Sequence, residues 1–443
     1  MTLKVCKFGG TSLADASQFR KVQAIVAADP ARRYVVPSAP GKRDKADRKI
    51  TDLLYLCHDQ ARQRLPIDET FGLIATRYQQ IVADLKLQLD LRPALDEVRR
   101  RIVDTATSGG AADYAASRGE YLSGLIVAAL LNYTFVDAAD VVFFDARGRL
   151  DERKTYDTLA ARLSSIDRAV VPGFYGSSPD GSIKTFSRGG SDISGAVVAR
   201  GVHAGCYENW TDVSGLLMAD PRIVDSPRVI ESITYKELRE LAYMGATVLH
   251  DEAVFPVRQA GIPVNIRNTN EPDAPGTVIF RGDTNHRPTA FTISGIAGRK
   301  DFTVLALEKA MMNAQVGFGR RVLQALEQNG VSYEHSPSGI DTMSLVIADD
   351  QLKGKLDRVL ADLRAAVEPD ALDVYPHMAL IATVGRGMAH APGTAAKVFA
   401  ALAAEKINVR MIDQGSSELN IIVGVEASDF ERAVRAIYAA FVG

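Results

Sequence analysis

Lys4-Val5-Cys6-Lys7-Phe8-Gly9-Gly10-Thr11-Ser12 lies at the start of the chain, and its reading decides the fold. A short apolar run that enters Gly-Gly-Thr-Ser, with Asp15 three residues past Ser12, predicts a strand, a tight turn and a capped helix over about 13–28. Two glycines let the backbone approach an anion, first-turn amides point at it, and Lys7 adds a full positive charge. Alone, the piece reads equally as an ordinary βα turn with a surface lysine. It is not a Walker loop, because no Gly-Lys-Ser/Thr follows. A dinucleotide fingerprint is excluded too, since the third glycine and the acid ending the next strand are missing.

Working outward, 443 residues at roughly 150 per domain predict two to three domains with real cores. A net charge of -2 with 24% charged residues carries no polybasic signature, so small molecules are the expected partners, not nucleic acid or a membrane surface. Cys6, Cys57 and Cys206 are too few and too scattered for a disulfide framework or a zinc site and read as core thiols of a reducing cytosol. No signal-peptide core precedes the first strand, and no apolar run reaches the ~18 residues of a membrane span. The expectation is a soluble cytoplasmic protein.

A second strand at 33–37 leads into Ser38-Ala39-Pro40-Gly41 and the charged run 42–49. Charge runs are usually solvated loops. This one follows a strand expected beside the first, so it overhangs the edge where ligands of open α/β sheets sit. Amphipathic helices follow, for instance over 51–64 and 71–85, as scaffold or lid. Glu120 precedes an apolar helix at 125–131, where the helix dipole alone would favour an acid. Strands are expected at 135–136, 141–144 and 169–171, then a glycine-rich hairpin at 176–181.

Thr185-Phe186-Ser187-Arg188-Gly189-Gly190-Ser191-Asp192 then opens a small-residue helix. The first arrangement recurs, Gly-Gly and a hydroxyl at a helix N-terminus, now flanked by an arginine and an aspartate. Two such turns in one α/β domain make a site that handles anions at two places. The planar arginine fork suits a carboxylate. Asp192 by itself also reads as a plain helix-start residue. After a strand at 204–210, Thr211-Asp212 and then Asp220-Pro221-Arg222 offer a carboxylate for hydroxyls and a cation for phosphate oxygens, although Asp-Pro is also a common turn. A capping box at Thr234 and Glu237 starts a further helix, and His250 reads as a structural residue between helices.

Lys7-Phe8-Gly9-Gly10-Thr11-Ser12, Ser187-Arg188-Gly189-Gly190-Ser191-Asp192, Trp210-Thr211-Asp212-Val213, Ala219-Asp220-Pro221-Arg222 and Gly245-Ala246-Thr247-Val248-Leu249-His250, in this order, resemble aspartate kinase over nearly the whole chain. The resemblance implies an amino-acid-kinase α/β/α sandwich with a mostly parallel sheet. It implies Lys7, Gly9 and Gly10 on the transferring phosphoryl group, Arg188 on the substrate carboxylate and Glu120 on its ammonium, with Ser38, Thr51 and Ser191 as lesser contacts. ATP falls to Lys7, Gly9, Gly10, Thr211, Asp212 and Arg222. The sequence departs from the family at Leu217, where a tyrosine is common, and at Thr247 and Asp251, where the motif carries lysine and proline. Losing that lysine removes a cation from the nucleotide side.

The chemistry suits this inventory. An ionised substrate β-carboxylate is its own nucleophile, so no general base is required. Phosphoryl transfer then needs in-line positioning and neutralised charge, which Lys7, oriented by Asp192, glycine amides and Mg²⁺ supply. With few carboxylates near the cradle, Mg²⁺ is expected on ATP oxygens and water, with no protein ligand set. The implied product is an aspartyl acyl phosphate.

Beyond about residue 290 the rhythm changes to strand, helix, strand, strand, helix, repeated at roughly 70 residues, which predicts a duplicated α+β ferredoxin-like module. The expected domains are 1–290, 291–370 and 371–443, the last two open to interleaving. By resemblance these are tandem ACT modules that bind an amino acid and dimerise, with Val316, Gly317, Phe318, Gly319, Ser338 and Gly339 as effector contacts. Read alone, they are turn residues. The effector is lysine, threonine or both. Two other readings stay open: a non-catalytic sensor, given Thr247 and Leu217, and a kinase for another acidic amino acid such as glutamate. A chain ending at Gly443 leaves no room for a fused homoserine dehydrogenase.

Overall fold

The computed structural model describes residues 2–187, 190–246, 251–282 and 291–443, without the side chains of Asp251 and Glu252. Two compact units result. The first comprises Met1–Leu216, Val229–Tyr235 and Val248–His286. Its chain runs β1 (Lys4–Phe8), α1 (Ala16–Ala27), β2 (Arg32–Pro37), then α2 (Ile50–Arg62), α3 (Asp68–Asp84), α4 (Arg92–Asp104) and α5 (Ala111–Leu131). There follow β3 (Thr134–Phe135), α6 (Glu152–Ser164), β4 (Ala169–Val170), β5 (Tyr175–Ser177), β6 (Ile183–Thr185), α7 (Gly190–Gly201) and β7 (Cys206–Thr211). The last part holds β8 (Ser232–Thr234), α8 (Tyr235–Tyr243), α9 (Asp251–Ala260), β9 (Val264–Asn268) and β10 (Thr277–Phe280), with α8 passing into the second unit from Lys236.

The main sheet has the order β3-β4-β2-β1-β7-β9-β10-β8. From β3 to β9 all neighbours are parallel. β10 runs antiparallel to β9 and parallel to β8. Val5, Cys6 and Phe8 are fully buried, as a strand covered on both faces requires. The chain leaves β1 for β2 on one side and returns as β7 on the other. Strand order therefore reverses at β1, which brings the loops at the carboxyl ends of β1, β2 and β7 to the edge where open α/β sheets take their ligands.

Several local expectations need correction. Residues Gly10–Leu13 form a 3-10 turn, and α1 is capped by Asp15, which accepts from the amides of Ser17 and Gln18. Glu120 lies in the middle of a helix, because α5 begins after Gly110, whose φ of 80° needs no Cβ. The dipole account of Glu120 falls with that. Small residues let α5 press into the unit: a Cβ on Gly119 would sit 2.7 Å from the Ala39 Cβ, and one on Gly124 2.7 Å from the Pro172 ring. At 141–144 there are isolated bridges at Phe143 and Phe144 instead of a strand.

Beneath β1 lies a buried ion cluster. Glu208 takes Arg32 Nε at 2.8 Å, Lys4 Nζ at 3.1 Å and Trp210 Nε1 at 2.9 Å. Burial would raise the Glu208 carboxyl, but Arg32 and Lys4 hold it below its ordinary value. Burial, reinforced by Glu208, pushes the neighbouring Cys6 thiol well up and leaves it an inert core thiol.

The second unit comprises Leu217–Arg228, Lys236–Thr247 and Arg287–Gly443. Its antiparallel sheet has the order β12-β11-β13-β15-β14, from β11 (Gly295–Glu308), β12 (Thr342–Ala348), β13 (Ala371–Val384), β14 (Met411–Asp413) and β15 (Asn420–Glu426). It is covered by α10 (Phe318–Gln328), α11 (Asp349–Leu352), α12 (Leu356–Val367), α13 (Thr394–Ala404) and α14 (Phe430–Val442). β11 and β13 are 14 residues each. The start of β11 pairs with the end of β13 (Gly295 with Val384), and its end pairs with the start (Glu308 with Ala371). β12 extends the latter half of β11, and β15 the latter half of β13. Both modules therefore share the two long strands. Where the repeated rhythm calls for a further strand between α10 and β12, there are isolated bridges at His335 and Ser338.

Residues 217–228 and 236–246 fall inside the range expected for the catalytic domain, yet they pack with this unit. Met218 O accepts from Ile296 N at 2.7 Å, and Arg228 N donates to Tyr438 Oη at 2.9 Å. Fully buried Glu237 accepts from Ser294 Oγ at 2.5 Å and Arg386 N at 2.7 Å. No described helix is long and apolar enough to cross a membrane.

Candidate active site

Lys7 is the last charged residue of β1 before the glycines, and strand alternation aims it away from Cys6 and the Glu208 cluster. Its Nζ lies 2.6 Å from Asp192 Oδ1 in the first turn of α7. Asn209, the register partner of Lys7 on β7, completes the group: its Nδ2 donates to Asp192 Oδ1 at 3.0 Å and its Oδ1 accepts from Lys7 Nζ at 3.4 Å. Tyr207 Oη donates to the Asp192 carbonyl at 3.0 Å, an approach that Gly195 permits by having no Cβ. The expected pair of Lys7 and Asp192 is thus formed. Asn209 and Tyr207 escaped the sequence reading, because only the β1–β7 register puts them there.

Gly9 donates its amide to Trp210 O at 2.9 Å, and a Cβ on Gly9 would lie 3.4 Å from Lys7 Nζ. Gly10 meets Gly41, whose amide donates to Gly10 O at 2.7 Å. A Cβ on Gly10 would come 2.9 Å from Ala39 O. The turn after β1 and the loop after β2 therefore touch backbone to backbone, which only glycines allow.

Glu120 faces this loop from α5. Burial pushes its carboxyl up to about 7, with the Ala39 backbone amide and Ser38 hydroxyl opposing. Ser38 Oγ lies 3.5 Å from Oε1, while Oε2 is buried without a hydrogen-bond partner. Tyr78 Oη fixes the adjacent turn by donating to Gly119 O at 2.7 Å. A buried carboxyl with one oxygen to spare suits a cationic ligand. Thr51 occupies the first turn of α2, where its neighbour Ile50 packs at Gly119. Gly173 N donates to Pro37 O at 3.1 Å, and a Cβ on Gly173 would lie 2.7 Å from the Ser191 Cβ, so Ser191 belongs to the same edge. Next to it, Phe174 is held at φ 78° with its amide on Ser194 Oγ at 2.7 Å. The sequence did not single out Phe174.

Thr211 ends β7, its Oγ1 donating to Asp212 Oδ1 at 3.2 Å, and its carbonyl accepts from Thr269 N at 2.9 Å. Buried Thr269, also missed from sequence, reaches Ser12 Oγ at 2.7 Å. Arg222 belongs to the second unit, where it pairs with Asp220 at 2.6 Å and is well exposed. Arg188, Gly189, Thr247 and His250 lie outside the described residues.

Of the expected effector contacts, Gly317 caps α10 at φ 81° and Gly319 follows in its first turn. Phe318 is packed into the core with Leu305, Val322 and Leu345. Val316 is 98% exposed. Ser338 bridges to Met343, and Gly339 N donates to Thr342 O at 2.7 Å, forming a hairpin. Its tip is tied to the loop before α10, with Asn313 N donating to Ile340 O at 3.1 Å. The two expected segments therefore adjoin.

The first unit thus sets a cation and glycine amides beside a buried carboxyl at one sheet edge. Residues 2–268 match the model of the Amino acid kinase family, and residues 381–441 match that of an ACT domain. Aspartokinase 3 of Bacillus subtilis is 38% identical over 455 residues, spanning 99% of this chain and 98% of that protein. The chain belongs to the aspartokinase family. The aspartate kinase of Clostridium acetobutylicum is 53% identical with a TM-score of 0.89 over the whole of both chains. Escherichia coli aspartokinase III in complex with aspartate and ADP is 27% identical with a TM-score of 0.68 over 99% of each chain. In this aspartokinase the buried Lys7 and the buried Glu120 belong to one sheet edge.

Proposed function

We propose that the enzyme transfers the γ-phosphoryl group of ATP to the β-carboxylate of L-aspartate, giving 4-phospho-L-aspartate and ADP. The observation that carries this is Glu120, a buried carboxyl with an unpartnered oxygen at the sheet edge that bears Lys7. Glu120 with Ser38 receives the substrate ammonium, Thr51 and Ser191 flank it, and Arg188 takes the α-carboxylate. A β-carboxylate oxygen forms the new bond to phosphorus as the bond to the ADP oxygen breaks, and no proton moves. Lys7, steadied by Asp192 and Asn209, meets charge developing on the phosphoryl oxygens, with the Gly9 and Gly10 backbone alongside. Thr211 and Asp212 are assigned to the nucleotide.

Mg²⁺ would neutralise phosphate charge. Among the described residues no three His, Cys, Asp or Glu side chains converge as a metal site, and Asp192 is engaged by Lys7, so the ion fits best on ATP oxygens and water. Feedback control by an end-product amino acid, lysine or threonine, is assigned to the loop and hairpin at Val316, Gly317, Gly319, Ser338 and Gly339. Escherichia coli aspartokinase III has been solved in complex with lysine and aspartate. Met311, Val316 and Ile340 are apolar, exposed and close in this region, which favours dimerisation through the ACT modules. The free thiols of Cys6, Cys57 and Cys206 suit a cytoplasmic setting.

Trapping the acyl phosphate with hydroxylamine tests the reading. Hydroxamate is expected with ATP and aspartate. Hydroxamate with glutamate alone would make this a different acidic-amino-acid kinase, and none with either would leave a sensor.

A further inference from the structure

Arg77 stands in the middle of α3, and nothing in its sequence surroundings sets it apart from a solvated helix face. The structure buries it, leaving its side chain 5% exposed. Its Nη2 donates to two backbone carbonyls, Ala14 at 2.9 Å and Gly41 at 2.5 Å, and its Nη1 lies 2.6 Å from Asp47 Oδ2. Ala14 closes the turn that begins with Gly9 and Gly10. Gly41 and Asp47 belong to the loop after β2. One guanidinium thus fastens both loops that leave the sheet edge at its reversal point to a helix behind them.

The fastening reaches the reacting groups through short backbone links. Gly41, held by its carbonyl, passes its amide to Gly10 O at 2.7 Å. The two backbones meet so closely that a Cβ on Gly41 would lie 2.7 Å from the Gly10 carbonyl carbon. In the same loop, Ala39 and Ser38 meet Glu120. Adjacent Tyr78 secures Gly119, next to Glu120, from the same helix. Asp47 is itself pinned, accepting from Arg43 N and Nε, both at 2.9 Å. Without this anchorage, the exposed charged run 42–49 would leave Gly41 to find its place against Gly10 unaided, at a cost in loop-ordering entropy.

We propose that Arg77 is a positioning residue for phosphoryl transfer, holding the glycine turn of the phosphate side and the Ser38–Gly41 loop of the substrate side in one geometry. This deepens the proposed reaction and rests on it. Arginine is required because one planar fork must serve two carbonyls and a carboxylate at once; a lysine ammonium keeps the charge without that fork. A groove of about 560 Å³ lined by Arg43, Asp47, Leu73, Arg77 and Gln80 opens beside the side chain, giving small solutes access.

The experiment compares wild type, Arg77→Lys and Arg77→Ala in the full chain, reading kcat, KM for aspartate, KM for ATP and the melting temperature. Arg77→Lys is expected to keep its fold and lose roughly 10- to 100-fold in kcat, since small misplacements of reacting groups carry that cost. Arg77→Ala is expected to lose more and to regain turnover when guanidinium chloride is added at millimolar concentration, below any unfolding effect. Methylammonium should not restore it. Wild-type kcat in Arg77→Lys, or equal response of Arg77→Ala to both salts, would overturn the assignment. If neither variant folds, Asp47→Asn takes their place: a kcat drop at unchanged melting temperature supports the assignment, and unchanged kcat overturns it. Failure of the reaction itself would show separately, as wild type that forms no acyl phosphate from aspartate.

Discussion

Asn209 Nδ2 donates to Asp192 Oδ1 at 3.0 Å, and the same oxygen lies 2.6 Å from Lys7 Nζ. The lysine therefore does not rest on a freely rotating carboxylate; a neighbouring strand fixes that carboxylate. Hydrogen bonds to charged groups are worth ~1.5–3 kcal/mol, so Asn209→Ala should lower kcat by about 10- to 100-fold. Lys7→Ala, which removes the charge itself, should lose ~10²–10³-fold. Steady-state kinetics on folded variants check both, and an Asn209→Ala enzyme with normal kcat would show the contact to be idle.

Glu120 gives a pH signature of definite sign. Burial raises its carboxyl from 4.5 to about 7. Between those values the native state holds a proton that the unfolded chain has released, so stability falls as pH rises through the window. The full effect is roughly 3 kcal/mol. Urea unfolding of the ligand-free enzyme at pH 5 and pH 8 should reveal this decline, and Glu120→Gln should abolish it. Because the substrate ammonium needs the ionised form, aspartate binding near pH 6 should release a proton. Calorimetry in buffers of different ionisation enthalpy measures that release directly.

Two glycines near Arg77 should respond in opposite ways. A Cβ on Gly41 would strike the Gly10 backbone at 2.7 Å, while one on Gly72, inside α3, meets nothing within 4 Å. Gly41→Ala is expected to cost ~1–3 kcal/mol and most of the activity. Gly72→Ala should gain ~0.5–1 kcal/mol with turnover unchanged. Denaturation midpoints alongside specific activity decide the matter.

Arg32 and Glu208 form a buried pair, their side chains 8% and 1% exposed. Removing one partner strands a charge, so Arg32→Ala should destabilise by ~3–5 kcal/mol. Equilibrium unfolding tests it, and a loss under 1 kcal/mol would mean that Lys4, with Arg267 Nη1 at 3.9 Å from Glu208 Oε1, already suffices for Glu208.

What was legible in the sequence was whatever short-range chemistry signals. The Gly-Gly turn after the first apolar run announced the β1 edge, and most of the strand and helix order of the C-terminal third was readable from periodicity. Partners joined only by the fold were not. Asn209 reads as one polar residue in a strand, and Arg77 as one charge on an amphipathic helix, until register and packing bring them to Lys7 and Gly41. Glu120 was found by its motif, but its mid-helix position was hidden, because Gly110 and the small residues of α5 set that helix by tertiary fit. The short strands β8 and β10 went unseen for the same reason. Local patterns do not name pairing partners.

The paired 14-residue strands β11 and β13 carry a consequence for how this protein can be rebuilt. A chain severed at 370 would leave one fragment with β11 short of its mate and the other with β13 likewise, each baring an unsatisfied ribbon of amides and carbonyls. The regulatory half is hence a single heritable part. Genetic exchange between relatives finds no seam in it at which one repeat could be traded for another.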